Sequence, residues 1–358
     1  MEEKPFKTKD LFFALLRNAL WLSEEQIPNE LSSIQAEKLL KAAEQQTVSA
    51  LIADALIRNN VRMQKKQALT AFSILTQIQQ SNIQLNEALT SFISLPLPDY
   101  RVVKGQTMGP FYPNPLLRTP GDIDFLVSDY NQARSVLENN WHIELPKRLI
   151  EKEYAFTHQG VTYEIHTKLI SFGSIRNQRY WDSLMQGSHN VVVANGVNIP
   201  TLEPTINAVY LFVHIFFHFI REGVGIRQMC DWALFLHHQN SAINWQELEI
   251  TLNRLGLIKA YRAFICILKE HLGLEDIPIE TNEKDHRMSV LILSNILRGG
   301  NFGHNTRASN QTSWRYKIET LRITISNCLH YFWLAPIELS LMIPKLIWLN
   351  IKLTFLKQ

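Results

Sequence analysis

The stretch Arg101-Val-Val-Lys-Gly-Gln-Thr-Met-Gly-Pro-Phe-Tyr-Pro-Asn-Pro-Leu-Leu-Arg-Thr-Pro-Gly-Asp-Ile-Asp-Phe-Leu-Val127 decides the reading of this chain. Tyr100–Val103 is apolar and β-prone, and Lys104-Gly105 breaks it. After a proline-rich connection, Ile123–Val127 alternates as a second strand. Asp122 and Asp124 lie two residues apart, so on an extended strand both carboxylates leave the same face. Two carboxylates held side by side repel and need a compensating cation. Magnesium suits such a pair because it takes oxygen ligands and is held by one or two carboxylates together with substrate phosphates.

A third carboxylate, Glu164, stands in Val161-Thr-Tyr-Glu-Ile-His-Thr-Lys-Leu169, which follows the turn residues Gln159-Gly160. Alternation puts Glu164, His166 and Lys168 on one face of that strand and Tyr163, Ile165 and Thr167 on the other. The order Lys104-Gly105, then Leu117-Arg-Thr-Pro-Gly-Asp-Ile-Asp-Phe-Leu-Val127, then an apolar-Glu-apolar-His strand resembles the nucleotidyltransferase superfamily with the DNA polymerase β-like fold. It is most similar to the bacterial uncharacterised nucleotidyltransferases often found near polysaccharide biosynthesis genes. The likeness is specific over about residues 100 to 170 and looser elsewhere.

The resemblance implies an α+β protein in which a mixed-sheet nucleotidyltransferase core is flanked by N-terminal and C-terminal helical regions. It implies that Asp122, Asp124 and Glu164 are the catalytic carboxylates and hold metal, two Mg2+ ions with Mn2+ as the alternative. Gly105 matches the glycine whose turn lets backbone amides approach a triphosphate, with Lys104, Gln106, Thr107 and Arg118 completing a phosphate-binding set. Many members follow that glycine with Gly or Ser, where this chain has Gln106-Thr107. His166, Lys168, His218 and Arg227 are candidates for substrate contact, Arg227 because a guanidinium makes forked contacts with phosphate.

Around this centre, residues 10 to 96 lack glycine and repeat apolar residues at helical spacing, with Ser32 or Ser33 as a cap and a long Gln-rich helix from Lys65 to Ser91. The expected organisation is a helical region over 1–97, a core over 98–200 and a helical domain over 201–358. Within the core, Asp129 to Asn139 reads as a helix. His142–Leu145 and Tyr154–His158 read as strands, and Val191–Ile199 as a hairpin turning at Asn195-Gly196. Long helices are expected over Thr205–Ile220, Trp245–Leu274 and Arg287–Leu297. His214 and His218, four apart without the glutamate of the zinc-protease motif, read as a packing pair, and Arg227 and Asp231 as a surface helix pair. Arg298–His304 is a glycine-rich breaker.

The chain has 358 residues, 46% hydrophobic and 19% charged, enough for one large core or two ordinary ones. A net charge of +3, with no interleaved basic and aromatic stripe, argues against a nucleic-acid partner. The expected partners are an NTP, ATP among them, and a small-molecule or sugar acceptor. Cys230, Cys266 and Cys328 form no metal motif or disulfide framework. The opening residues lack the basic-then-apolar order of a signal peptide, so the expected setting is the cytoplasm. The apolar tail after Cys328 is interrupted by Pro336, Glu338, Pro344, Lys345 and Lys352. That argues against a transmembrane span and leaves a peripheral membrane contact as the alternative to plain packing. The rival to an enzyme is a catalytically silent nucleotide-binding or protein-interaction module on the same fold.

Overall fold

The glycine-free N-terminal run folds as four helices, α1 (Thr8–Trp21), α2 (Ser33–Gln45), α3 (Ser49–Arg58) and α4 (Lys65–Ile93). The computed structural model describes residues 8–149, 152–300 and 314–355, without side chains at 314–317 and 347–355. Ser32 begins α2 through a reciprocal cap: its hydroxyl accepts from the Gln35 N–H, and the Gln35 side chain accepts from the Ser32 N–H. This arrangement satisfies two donors that the first turn leaves open.

The chain divides into two units. Met1–Leu169, His189–Glu203 and His271–Gly273 form the first, and Ile170–Ser188, Pro204–Glu270 and Leu274–Gln358 the second. In the first unit, β1 (Tyr100–Val103), β2 (Ile123–Val127), β3 (Glu153–His158) and β4 (Val161–His166) make one sheet in the order β1-β2-β4-β3. β1 runs antiparallel to β2, β2 parallel to β4, and β4 antiparallel to β3. Helix α5 (Tyr130–Trp141) joins β2 to the second half, its N-terminus capped by the Asp129 carboxylate. A hairpin of β5 (Asn190–Ala194) and β6 (Val197–Thr201) turns at Asn195-Gly196, where both residues have positive φ, 51° and 75°. That is the backbone a two-residue hairpin turn requires.

One face of the four-stranded sheet is apolar. Val102, Ile123, Phe125, Val127, Tyr163 and Ile165 pack under Leu85, Leu89 and Phe92 of α4 and Ala133 and Leu137 of α5. Phe92 is the centre of this core, with its ring 4.6 Å from that of Phe125 and 5.8 Å from that of Tyr163. Truncating such a buried ring to alanine costs about 3–5 kcal/mol through lost transfer energy and the cavity left behind. The Lys65–Ser91 helix of the sequence reading is therefore the element that fixes the sheet from behind.

Two expectations fail locally. His142–Leu145 is not a strand: His142 ends α5 in the left-handed conformation (φ 53°, ψ 41°), and the Leu145 N–H donates to Glu138 Oε1 at 3.0 Å. Both neighbours of β2 are already β1 and β4, which leaves that segment no partner beside it. Trp245–Leu274 is two helices, α9 (Trp245–Leu255) and α10 (Ile258–Leu272), because Gly256 turns left-handed (φ 73°) and stops the first.

The second unit also carries α6 (Ile175–Met185), α7 (Pro204–Arg221), α8 (Ile226–His238), α11 (Glu283–Gly299), α12 (Trp314–His330) and α13 (Pro336–Phe355). The breaker at Arg298–His304 lies beyond the described residues after Gly300. Among the described residues, no helix is long and apolar enough to cross a membrane.

Candidate active site

The second face of the sheet collects the polar residues, and strand register shows how. Val103, Asp124, Glu164 and Ala155 are paired across β1, β2, β4 and β3 in one row, and Arg101, Leu126, His166 and Glu153 in the next. Paired residues share a face, and so do residues two apart on one strand. Asp124, Glu153, Glu164 and His166 therefore converge on one patch, opposite the Phe125–Ile165 core.

His166 is the hub. Its Nε2 lies 2.9 Å from Asp124 Oδ1 and 3.3 Å from Glu164 Oε2, and its Nδ1 lies 3.2 Å from Glu153 Oε2. Lys104 Nζ lies 2.9 Å from the same Asp124 oxygen. Lys152 pairs with Glu153 from the outer side. Asp124 and His166 are both buried.

Electrostatics sort these groups. Burial acts to raise the Asp124 pKa, but the Lys104 ammonium and the His166 ring outweigh it and hold the carboxyl well below the usual carboxylate range. Burial would lower His166, yet the bonds to Asp124, Glu153 and Glu164 push it up to about 10. Glu153, against burial, is held down to about 2 by His166 and Lys152. Glu164 moves the other way: burial and the neighbouring Asp124 raise it. Two adjacent carboxyls pushed apart in this manner are the usual sign of a division between a charge holder and a proton acceptor.

The turn after β1 is strained where it meets this patch. Lys104 adopts φ 45°, ψ −151°, a region that only glycine enters without cost, and Gly105 follows at φ 50°. A non-glycine residue held there costs on the order of 1–3 kcal/mol. A Cβ on Gly105 would meet the Asp122 carbonyl oxygen at 3.2 Å, so the turn lies directly against the residue that precedes β2.

The other sequence candidates are placed as follows. Asp122 stands one residue before β2 and is half-buried. Gln106 is buried and turned toward α4, its Nε2 donating to Asn86 Oδ1 at 2.6 Å. The Thr107 hydroxyl donates to the Lys104 carbonyl at 2.8 Å. Arg118 is buried, and its carbonyl accepts from Asn82 Nδ2 at 2.7 Å, which ties the proline-rich connection to α4. Lys168 is exposed two residues past the end of β4. His218 and Arg227 belong to the second unit. His218 sits on α7 with Nδ1 3.2 Å from Glu222 Oε2 and its ring centroid 4.3 Å from that of His214. Arg227 opens α8, and Asp231, four residues further along the helix, is buried.

Glu153 is the residue that sequence reading missed. Glu153, Ala155 and Thr157 alternate with Tyr154 and Phe156, so the pattern was present one residue upstream of the expected strand start. Only the pairing of Glu153 with His166 gives it meaning.

One oxygen each from Asp124 and Glu164 and a ring nitrogen of His166 all lie within 4.8 Å of one another. Two carboxylates and an imidazole, with cationic groups already drawn onto them, form a donor set that a divalent ion fits. A second group of this kind among the described residues is Cys266, Glu270 and His286, in the second unit.

This sheet face thus gathers convergent carboxylates beside a strained lysine-glycine turn. Residues 32–273 match the model of a family described as uncharacterised nucleotidyltransferases, and the chain belongs to that family. Among curated proteins none matches. A solved structure, an antigenic nucleotidyltransferase-like protein from Paracoccidioides brasiliensis, aligns at 14% identity over 57% of this chain and 94% of that one. Its TM-score is 0.27, a superposition too loose to bear on the fold.

Proposed function

We propose that this chain moves a nucleoside monophosphate from an NTP, ATP foremost, onto a hydroxyl of a small-molecule or sugar acceptor. The fold we propose for it is polymerase β-like. The observation that carries the reading is the side-by-side placement of Asp124 and Glu164 on paired strands, next to the Lys104-Gly105 turn.

In this reaction the acceptor oxygen bonds to the α-phosphorus, the bond from that phosphorus to the bridging oxygen breaks, and pyrophosphate leaves with the electron pair. Asp122, Asp124 and Glu164 would hold the divalent metal, magnesium as two ions or manganese in its place. When bound, it would lower the pKa of the acceptor hydroxyl and neutralise the triphosphate. Glu164, with its raised pKa, is suited to receive the hydroxyl proton. The ammonium of Lys104, now on Asp124, is within reach of any phosphate placed at the turn, and Arg118 and Lys168 add positive charge. His218 and Arg227 are proposed substrate contacts. Residues 98–200 are proposed as the catalytic core, 1–97 as its helical wall and 201–358 as a helical domain. A mild net charge supports a small acceptor, as in polysaccharide biosynthesis, over nucleic acid. Three buried, unpaired cysteines support a cytoplasmic setting.

A silent nucleotide-binding module is the second reading. It is favoured by the Lys104–Asp124 pair, which already neutralises the carboxylate, and by the burial of Gln106 directly after the turn glycine, its amide donating to Asn86. Pyrophosphate release decides between the two. Wild-type protein with magnesium, each NTP and a panel of sugars should release it, and Asp124→Asn should not, while keeping its circular dichroism spectrum. NTP binding without release in both proteins would establish the module instead.

A further inference from the structure

His166 offers a different ring nitrogen to each side of the polar patch. Nε2 faces the Asp124 oxygen at 2.9 Å and the Glu164 oxygen at 3.3 Å, while Nδ1 faces Glu153 Oε2 at 3.2 Å. Neighbouring ligands of an octahedral ion with bonds of about 2.1 Å lie about 3 Å apart, so the donors on the Nε2 side already have ligand spacing. Hydrogen bonding alone produces similar distances. What separates the two cases is how the far side of the ring is held.

Nδ1 is sealed from water and meets the Glu153 carboxylate as an ion contact rather than an in-line hydrogen bond. Glu153 is itself fixed. It pairs with His166 in the β3–β4 register, and Lys152 Nζ donates both to its Oε2 and to the Leu169 carbonyl, the latter at 3.4 Å. The Lys152 carbonyl accepts from the Thr167 N–H at 2.8 Å and from the Thr167 hydroxyl at 3.1 Å, which ties the start of β3 to the end of β4. A carboxylate locked against Nδ1 stabilises a proton there and penalises a bare lone pair, so a ring that gives up one proton gives up the one on Nε2. The freed lone pair then faces Asp124 and Glu164.

We propose that Glu153 is a positioning residue that makes His166 Nε2 a metal ligand beside Asp124 and Glu164, and that the site thereby selects a divalent ion that accepts nitrogen, manganese, over magnesium. The inference rests on the metal-dependent reading above and narrows its ion. First-row transition ions take imidazole readily and manganese also suits carboxylates, whereas magnesium prefers oxygen and water. The Nε2 proton leaves to solvent as the nitrogen–metal bond forms. Metal-free protein without nucleotide is titrated with manganese and with magnesium by calorimetry, and the manganese complex is read by pulsed electron paramagnetic resonance. Wild type should show nitrogen modulation that changes when its histidines carry the heavy nitrogen isotope. His286→Ala, which removes the histidine of the second donor group, should keep that signal, and Asp124→Asn should lose it. Glu153→Gln keeps the size and removes the charge. It should retain its circular dichroism spectrum and lower manganese affinity about 10- to 100-fold, with a smaller loss for magnesium. The proposal is overturned if manganese on the wild type shows no histidine nitrogen, if Asp124→Asn keeps the signal, or if Glu153→Gln weakens both ions alike or neither. Pyrophosphate release separates this outcome from the fate of the transfer reading. No release from any NTP beside a clear nitrogen signal removes the transfer and upholds the ligand assignment, whereas release with a nitrogen-free spectrum overturns the assignment alone.

Discussion

The Asp124–Glu164–His166 group and the Cys266–Glu270–His286 group have the same kind of membership and opposite physical settings. The first grows from β-strands whose register forces its side chains together, and its aspartate and histidine are buried. The second joins a buried thiol on α10 to an exposed Glu270–His286 pair reaching across from α11, a pair that water screens. Membership alone therefore says little. What separates a candidate centre from a surface coincidence is whether the fold forbids its members from moving apart.

The sharpest way to break this contrast is catalysis. Asp124→Asn should reduce pyrophosphate release by at least about a thousandfold, the scale on which preorganised charge acts, while Glu270→Gln should leave it unchanged. Next is stability. His166→Ala strands three carboxylates that lose their shared cation, a buried-pair break worth about 3–5 kcal/mol in urea denaturation. His286→Ala should cost under about 1 kcal/mol, as exposed pairs do.

The pH dependence of stability sharpens the same point in metal-free buffer. His166 has its folded pKa raised from 6.5 to about 10, so its stabilising contribution is complete below about pH 6.5 and drains away as pH climbs through 10. Glu153, depressed from 4.5 to about 2, contributes above about pH 4.5 and loses its share as pH falls through 2. Urea midpoints should thus decline between pH 7 and 10 in the wild type, and His166→Ala should flatten that limb. His286→Ala should not. A smaller effect is expected from Gly105→Ala, which places a Cβ at positive φ and 3.2 Å from the Asp122 carbonyl. It should cost about 1–2 kcal/mol and weaken NTP binding in calorimetry, whereas Gly256→Ala, with open space around its Cβ, should cost only the φ penalty.

Local chemistry made much of this readable before any coordinates. Ser32 capped its helix, Asn195-Gly196 turned its hairpin, and the alternation in β2 and β4 separated the core face from the polar one. What stayed hidden depended on pairing. Asp122 and Asp124 are two apart in sequence, but the strand begins at Ile123. The group that assembles around Asp124 draws on Glu164 and His166 from another strand. Glu153 acquires a role only through the antiparallel register of β3 and β4, and His142 only by ending α5 left-handed. The lysine of Lys104-Gly105 was legible as a break in a strand, not as the ammonium that lands on Asp124.

Lys104 carries one more implication. A chain that supplies its own positive charge to an acidic crevice can complete folding on the ribosome's timetable, whatever the ambient supply of metal. In the metal-dependent transfer proposed above, a chelator would then silence the protein without unravelling it, and readmitted ion would have to evict a tethered amine rather than fill a void.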